Sequence, residues 1–155
     1  MPGARILLVE DDEALRSLLA RNLQARGHEV CCACDGATAL AYLRTSPVDL
    51  VVLDINLPDQ TGWEVLREAL HEGILHTYEL DGSKLPVVVL SAVQVSPRRL
   101  AEFRPVAYLP KPFPLPSLLR LAAEAAQRKV VGAATGEEDT ERLHSALSDE
   151  EELHA

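Results

Sequence analysis

The sequence predicts an α/β protein in which a doubly wound, five-stranded parallel sheet carries helices on both faces. Five runs rich in Val, Ile and Leu alternate along the chain with five segments of helical spacing. The runs are continuous rather than interrupted by polar residues, as in strands that are buried on both faces. Five-stranded sheets of this kind most often have the order 2-1-3-4-5, with the ligand crevice between strands 1 and 3. Acidic residues follow those two strands.

The first half of the chain is expected to hold three strands and three helices. The first helix repeats leucines at helical spacing and stops at Gly27, and Asp35 can cap the second helix. Ser46-Pro47 ends that helix, and a loop at 57–62 precedes the third. The predicted strands are 5–9, 28–34 and 48–53, and the predicted helices are 13–26, 37–44 and 63–71.

The second half is expected to add two strands and two helices. Ser96 is an N-cap followed by Pro97 at the first helical position, and the fourth helix that they open can reach only to about Arg104. The segment 72–85 is longer than a usual connection, and its residues 74–80 precede an Asp-Gly turn, which predicts a small hairpin. The predicted strands are 86–90 and 106–109, and the predicted helices are 97–104 and 115–129.

The length of 155 residues gives room for one domain, which the pattern places at 4–129, followed by an acidic tail at 130–155. From residue 132 onward eight acidic residues accompany Arg142 alone, so the tail carries −7 of the net charge of −9. With few apolar residues, the tail is expected to be disordered or a marginal helix that needs a partner. This charge distribution argues against a nucleic-acid surface. No apolar run approaches the roughly 18 residues of a membrane span.

Three cysteines, Cys31, Cys32 and Cys34, lie together in the second predicted strand. Their odd number and the lack of a second Cys/His pair argue against a disulfide framework and a zinc site. Buried or half-buried strand thiols are expected instead, which indicates a reducing compartment and therefore the cytoplasm. His71 and His76 are expected to face solvent, because no further metal ligands accompany them in sequence.

Carboxylates gather where the first and third strands end. Glu10, Asp11 and Asp12 follow the first strand, and Asp54 follows the third. Their mutual repulsion is costly unless protons or a hard cation offset it. The sequence therefore predicts a divalent metal site centred on Asp54. Asp12 has a second interpretation, as the N-cap of the first helix.

Four motifs, each following a predicted strand, match a known family. They are Leu-Val-Glu-Asp-Asp at 8–12, Asp-Ile-Asn-Leu-Pro at 54–58 with Gly62, Leu-Ser-Ala at 90–92, and Tyr-Leu-Pro-Lys-Pro-Phe at 108–113. Over residues 4–129 the chain closely resembles the receiver domain of two-component response regulators. The resemblance implies a flavodoxin-like fold in which all four motifs lie at C-terminal ends of strands.

The resemblance also implies the chemistry of the site. Asp54 would be the phosphoacceptor, whose carboxylate attacks a phosphoryl group. The implied cofactor is Mg²⁺, which prefers a few oxygen ligands and several waters. Its ligands would be Asp54, Asp11 directly, Glu10 through water, and the backbone carbonyl of Asn56.

Three further residues have roles that the resemblance implies. Lys111 would supply a positive charge to a phosphoryl oxygen, and the Ser91 hydroxyl would donate a hydrogen bond to another. Ser91 and Tyr108 match the family's switch pair, although Tyr108 can also be read as a half-buried core residue. The Lys111–Pro112 bond matches one that is cis in the family. Trp63 is expected to pack beside the site.

The chain departs from the family pattern near its fourth helix. The stretch from Ser91 to Lys111 is short, and no Gly precedes the fifth strand, so the fourth helix should be stunted. This alters the face that the family usually uses for output and dimerisation, and a homodimer stays one option. The residues after Lys129 are too few for an effector domain.

The expected function is that of a single-domain response regulator, a signalling switch rather than a turnover enzyme. It would accept a phosphoryl group on Asp54 from a histidine kinase or phosphotransfer protein and then change its binding to a downstream protein. One alternative is a phosphorelay intermediate, or the receiver of a hybrid kinase, that passes phosphate onward. Another is a Mg²⁺-dependent phosphatase, but such enzymes usually place a second Asp where this chain has Asn56. A third, a receiver that works without phosphorylation, is disfavoured by the intact site.

Overall fold

The structure, a computed structural model, describes residues 3–75 and 84–134, with side chains described as far as Arg128. Most of the predicted hairpin at 74–80, His76 and the tail from residue 135 lie outside the described residues. The elements in chain order are β1 (Arg5–Val9), α1 (Glu13–Ala25), β2 (Glu29–Ala33), α2 (Gly36–Thr45), β3 (Leu50–Asp54), α3 (Gly62–Glu72), β4 (Val87–Ser91), α4 (Pro97–Phe103), β5 (Ala107–Pro110) and α5 (Leu115–Ala134).

The five strands form one parallel sheet in the order β2-β1-β3-β4-β5, which confirms the predicted fold class and strand order. β1 and β3 are neighbours, with Leu7 opposite Val51 and Val9 opposite Leu53. All residues of β3 and β4 are buried, as their continuous apolar sequences predict. The adjacent ends of β1 and β3 therefore form the crevice at which the strand order reverses.

Helices cover the sheet on both faces, because alternate strand side chains point to opposite sides. Leu7 and Val9 belong to a core cluster with residues of α2, α3 and α4, whereas Ile6 and Leu8 belong to a second cluster with residues of α1 and α5. None of the helices in the described ranges combines the length and hydropathy needed to cross a membrane.

Local side-chain caps fix where the helices begin. Asp12 accepts a hydrogen bond from the Leu15 amide, so the N-cap interpretation of this residue is confirmed. The other caps are Asp35 for α2, Thr61 with Glu64 in a capping box for α3, and Ser96 for α4. Three of these helices thus begin directly after a strand or loop that carries a predicted site residue.

The C-terminal end of the short α4 is bound by a residue outside the helix. The helix has seven residues, which confirms the prediction of a short fourth helix, and Arg104 follows it in the left-handed conformation at φ 48°. The Lys84 ammonium donates to the carbonyls of Phe103 and Arg104. Lys84, which precedes β4, therefore satisfies helix-end carbonyls that have no partner within the helix.

Two predictions about this fold were wrong in detail. The helix predicted at 115–129 continues to Ala134: one helical glycine, Gly132, costs only roughly 1 kcal/mol, and the two residues after it are alanines, which favour a helix. Cys31 is half-buried as expected, but Cys32 and Cys34 are exposed. The reason is that β2 is an edge strand, and Cys34 lies just beyond its end. His71 is exposed, as predicted.

Candidate functional site

Two buried carboxylates lie side by side at the crevice. Glu10 follows β1 and is 0% exposed, and Asp54 ends β3 and is 3% exposed. The amide of Glu10 donates to the Ala33 carbonyl at 3.0 Å, which extends the β1–β2 ladder by one residue and holds Glu10 in place. Each of Glu10, Asp11 and Asp54 offers a carboxylate oxygen within 4.8 Å of the others. The predicted acidic cluster is therefore assembled by the fold.

Lys111 joins the two buried carboxylates. Its ammonium donates to Asp54 Oδ2 at 2.9 Å and to the two Glu10 oxygens at 3.0 and 3.1 Å. The Lys111 amide also donates to the Ser91 carbonyl at 2.8 Å, and the Lys111–Pro112 peptide bond is cis, as the resemblance implied. One cation thus neutralises only part of the negative charge that the cluster can carry.

The ionisation of the cluster reflects this imbalance. Burial, followed by the hydrogen bond with Asp54, raises the pKa of Glu10 to about 7 despite the opposing effect of Lys111. Burial disfavours the charged form of Lys111, but the bonds to Asp54 and Glu10 outweigh it and raise the pKa of this ammonium. The cluster therefore keeps a proton to higher pH than an exposed carboxylate would, and a divalent cation would compete with that proton.

The loop after β1 has a brace that the sequence analysis missed. The Arg16 guanidinium, one turn into α1, donates to the Glu10 carbonyl at 2.9 Å and to the Asp11 carbonyl at 3.4 Å. Asp11 itself is exposed. Its carboxylate is thus held at the mouth of the cluster by the backbone, while remaining open to solvent.

The loop after β3 is shaped around Asp54. The Asn56 amide donates to Asp54 Oδ1 at 3.1 Å, and Asn56 forms an isolated bridge with Thr61. A Cβ atom on Gly62 would lie 2.7 Å from the Asp54 carbonyl oxygen, so only glycine allows the start of α3 to approach this closely. Asn56 is therefore held beside the acidic cluster by the backbone on both sides of the loop.

Asp59 is a second residue that the sequence analysis missed. Its two carboxylate oxygens accept the amides of Gly36 at 2.9 Å and Ala37 at 3.0 Å, at the start of α2. These hydrogen bonds lower the pKa of the Asp59 carboxyl, and the bond from Gly36 has the largest effect. Asp59 thereby ties the loop that carries Asn56 to the neighbouring helix. The bonds span more than twenty residues, so no local sequence signal predicts them.

The predicted switch residues are not bonded to the acidic cluster. Ser91 is buried, and its hydroxyl donates to the Val93 carbonyl at 2.7 Å while accepting the Val93 amide at 3.1 Å. The half-buried Tyr108 donates its hydroxyl to the same carbonyl at 3.2 Å. Ser91 and Tyr108 are therefore linked through one shared acceptor.

Trp63 lies at the start of α3 and is a packing residue, as expected. It is 8% exposed, and its ring stacks on Phe103 of α4 with 5.3 Å between ring centroids. The Arg67 guanidinium lies over the Phe103 ring, with 5.8 Å between its central carbon and the ring centroid. The stack fastens α4 to the helix that begins beside Asp54.

The donor set suits a small, hard cation. Carboxylate oxygens from three residues converge within one ion's reach, and no histidine or thiol lies among them. Oxygen ligands at a partly open site are what Mg²⁺ prefers, because it retains several waters. The residues present therefore fit Mg²⁺ better than a softer metal such as Zn²⁺.

Comparisons with known proteins agree with this geometry. The family model described as the response regulator receiver domain matches residues 6–123. The response regulator MprA from Mycobacterium avium (strain 104) is 35% identical over 147 residues, which are 94% of this chain and 58% of the relative. The chain thus spans about half the length of the curated relatives it matches.

Solved structures show the same fold. The chemotaxis response regulator CheY4 of Vibrio cholerae is 27% identical with a TM-score of 0.66, over 79% of this chain and 98% of that one. The response regulator TrrA from Thermotoga maritima, solved in complex with Mg²⁺-BeF, is 28% identical with a TM-score of 0.64 over the same shares. With the strand order and the acidic crevice, these matches show that the chain belongs to the response regulator receiver domain family.

Proposed function

We propose that this receiver accepts a phosphoryl group on Asp54 from a histidine kinase or phosphotransfer protein, and that the phosphorylated form binds a downstream protein differently. The observation that carries the proposal is the ammonium of Lys111, which bridges the buried carboxylates of Asp54 and Glu10 at 2.9 to 3.1 Å. A merely structural ion pair would not require a second buried carboxylate with a raised pKa.

Asp54 would act as the nucleophile. One of its carboxylate oxygens forms a bond to phosphorus while the phosphorus–nitrogen bond of a phosphohistidine breaks, and the electron pair returns to the imidazole nitrogen. The Asn56 amide and the Lys111 ammonium each hold one Asp54 oxygen, so the carboxylate is oriented before the donor arrives. Positioning of this kind supplies much of what phosphoryl transfer requires.

Asp11, Asp54, the backbone carbonyl of Asn56 and, through water, Glu10 would hold Mg²⁺. The ion supplies positive charge that offsets repulsion between the carboxylates and the phosphoryl oxygens. Binding of Mg²⁺-BeF by the related TrrA supports this cofactor. Lys111 would then pair with the phosphoryl oxygens, because its ammonium already stands at the Asp54 oxygen.

Ser91 and Tyr108 would report the modification. The Ser91 hydroxyl would leave the Val93 carbonyl and donate to a phosphoryl oxygen, and Tyr108 would change its position with the loop that carries Val93. The phosphatase alternative lacks support, since the Asn56 side chain cannot deliver a proton as a second Asp would. The three free thiols support the proposed cytoplasmic location, because a reducing compartment keeps them unpaired.

The decisive experiment compares two Asp-to-Asn variants treated with acetyl phosphate and Mg²⁺. Asp54→Asn should show no added phosphoryl group by intact mass, because the amide lacks the anionic oxygen needed for attack. Asp12→Asn is the matched control: it removes a neighbouring exposed carboxylate but keeps a good N-cap, so phosphorylation should persist. Full phosphorylation of Asp54→Asn would place the phosphoacceptor elsewhere.

A further inference from the structure

A broad groove lies on the face of α4, away from the acidic crevice. Its volume is about 820 Å³, and it runs between α3 and α4. The residues that line it are Arg67, Ser96, Arg98, Arg99, Ala101 and Glu102. Polar and charged side chains predominate, so an apolar peptide is a poor match for this surface.

The groove is positively charged, in a chain whose net charge is −9. Three arginines and a single carboxylate, Glu102, line the groove. Arg67 and Arg99 both pair with Glu102, at 3.2 and 3.3 Å. Arg98 is exposed and forms no ion pair with any residue in the described ranges. The side chains that line the groove therefore carry a net charge of +2.

The complementary charge is carried by the same chain. Residues 137–152 contain eight acidic residues and one arginine, which gives −7 over sixteen positions. The remainder of the chain carries only −2. No other segment of comparable length concentrates negative charge to this degree.

We infer that the groove formed by Arg67, Arg98 and Arg99 is a docking site for the last acidic residues of the chain's own acidic segment, 149–152. The reach is sufficient: a domain of about 130 residues has a radius of gyration of roughly 14 Å. Fifteen residues of extended chain after Ala134 span roughly 50 Å, which exceeds the distance across such a domain. Residues 149–152 can therefore reach the groove, whereas residues 137–141 lie within about 25 Å of Ala134.

The contact is expected to be weak and reversible. Exposed ion pairs contribute little each and are screened by salt. A tethered segment, however, has an effective concentration on the order of 1 mM, so an affinity too weak to detect between separate molecules suffices for substantial occupancy. Docking would cover α4, and with it the face next to the loop that carries Ser91 and Val93.

Trypsin cleavage of the full chain after Arg142 tests the inference, because Arg142 is the only Lys or Arg beyond residue 129. At low salt, Arg98→Glu should accelerate this cleavage about fivefold, since it replaces attraction with repulsion. Arg120→Glu is the matched control, because Arg120 is an exposed arginine on α5, and it should leave the rate within about twofold. At about 1 M NaCl the difference between the two variants should disappear.

Equal rates for Arg98→Glu and Arg120→Glu at low salt would overturn the inference and point to a tail that is free or docked elsewhere. Protection that increases with protein concentration would also overturn it, because the groove would then hold the segment of a second copy. None of these outcomes depends on phosphorylation of Asp54, so the inference stands or falls separately from the proposed function.

Discussion

Replacing Glu10 with glutamine should remove a pH dependence of stability that the site imposes on the fold. The pKa of Glu10 is raised from 4.5 to about 7, so between these values the folded chain binds more protons than the unfolded chain. The unfolding free energy therefore falls as the pH rises through this window, and the loss is nearly complete by about pH 8. Glutamine at this position has no proton to lose and should lack the fall.

The magnitude follows from the two pKa values. Each pH unit between them is worth about 1.4 kcal/mol, so ionisation of Glu10 destabilises the fold by about 3 kcal/mol in total. Most of that loss falls between pH 5 and pH 8. With a urea dependence of roughly 1–3 kcal/mol per molar, the midpoint of unfolding should drop by about 1 M or more.

The assay is urea unfolding at pH 5, 6, 7 and 8 without Mg²⁺, followed by the fluorescence of Trp63, the only tryptophan. The quantity to compare is the difference between the parent and Glu10→Gln at each pH. His28 also titrates in this range: burial and Arg26 lower its pKa, so its contribution to stability increases with pH up to about 6.5. This opposite trend is common to both chains and cancels in the difference.

Parallel pH profiles in the two chains would refute the reasoning, because Glu10 would then ionise as readily in the folded as in the unfolded state. Addition of Mg²⁺ provides an internal check on the same residue. A divalent cation favours the ionised cluster, so it should stabilise the parent more at pH 8 than at pH 5.

Three further predictions concern the residues around the crevice. At one hundred times its Kd, Mg²⁺ should stabilise the parent by about 2.7 kcal/mol and so raise its melting temperature, and it should do so much less in Asp11→Ala; equal shifts would exclude Asp11 as a ligand. Gly62→Ala should slow acetyl phosphate labelling of Asp54, since its Cβ would lie 2.7 Å from the Asp54 carbonyl oxygen; unchanged labelling would contradict this. Phe103→Ala should cost about 3–5 kcal/mol in urea unfolding and change the Trp63 emission, whereas unaltered emission would show the stack to be unimportant.

The parts of the fold that sequence predicts well are those set by neighbouring residues. Continuous apolar runs gave the five strands, and Asp35 and Ser96 cap the helices they precede, because an N-cap bonds an amide only three residues away. The acidic crevice could also be predicted from the sequence, since parallel strands bring their C-terminal ends to one edge of the sheet. The exposure of Cys32 could not be predicted, because the burial of a strand residue depends on which strand lies at the edge.

The supports of the site were missed because they join residues that are distant in sequence or chemically ordinary. Asp59 bonds to amides 22 and 23 residues away, and Lys84 bonds to carbonyls 19 and 20 residues away. From the sequence alone, both residues would be expected to lie in loops and face solvent. Ser91 shows the opposite case: its hydroxyl makes the short-range turn that is common for serine after a strand, and only phosphorylation would give it another partner.

The carbonyl shared by Ser91 and Tyr108 has a consequence for background signalling. For the Ser91 hydroxyl to turn away, it must give up two hydrogen bonds to Val93, each worth about 1 kcal/mol net. A cost of about 2 kcal/mol corresponds to a released population of roughly one molecule in thirty before any phosphoryl group arrives. If Ser91 and Tyr108 act as proposed, the Val93 backbone would set the fraction of unphosphorylated molecules that hold the switched arrangement, and hence the lowest output of the switch.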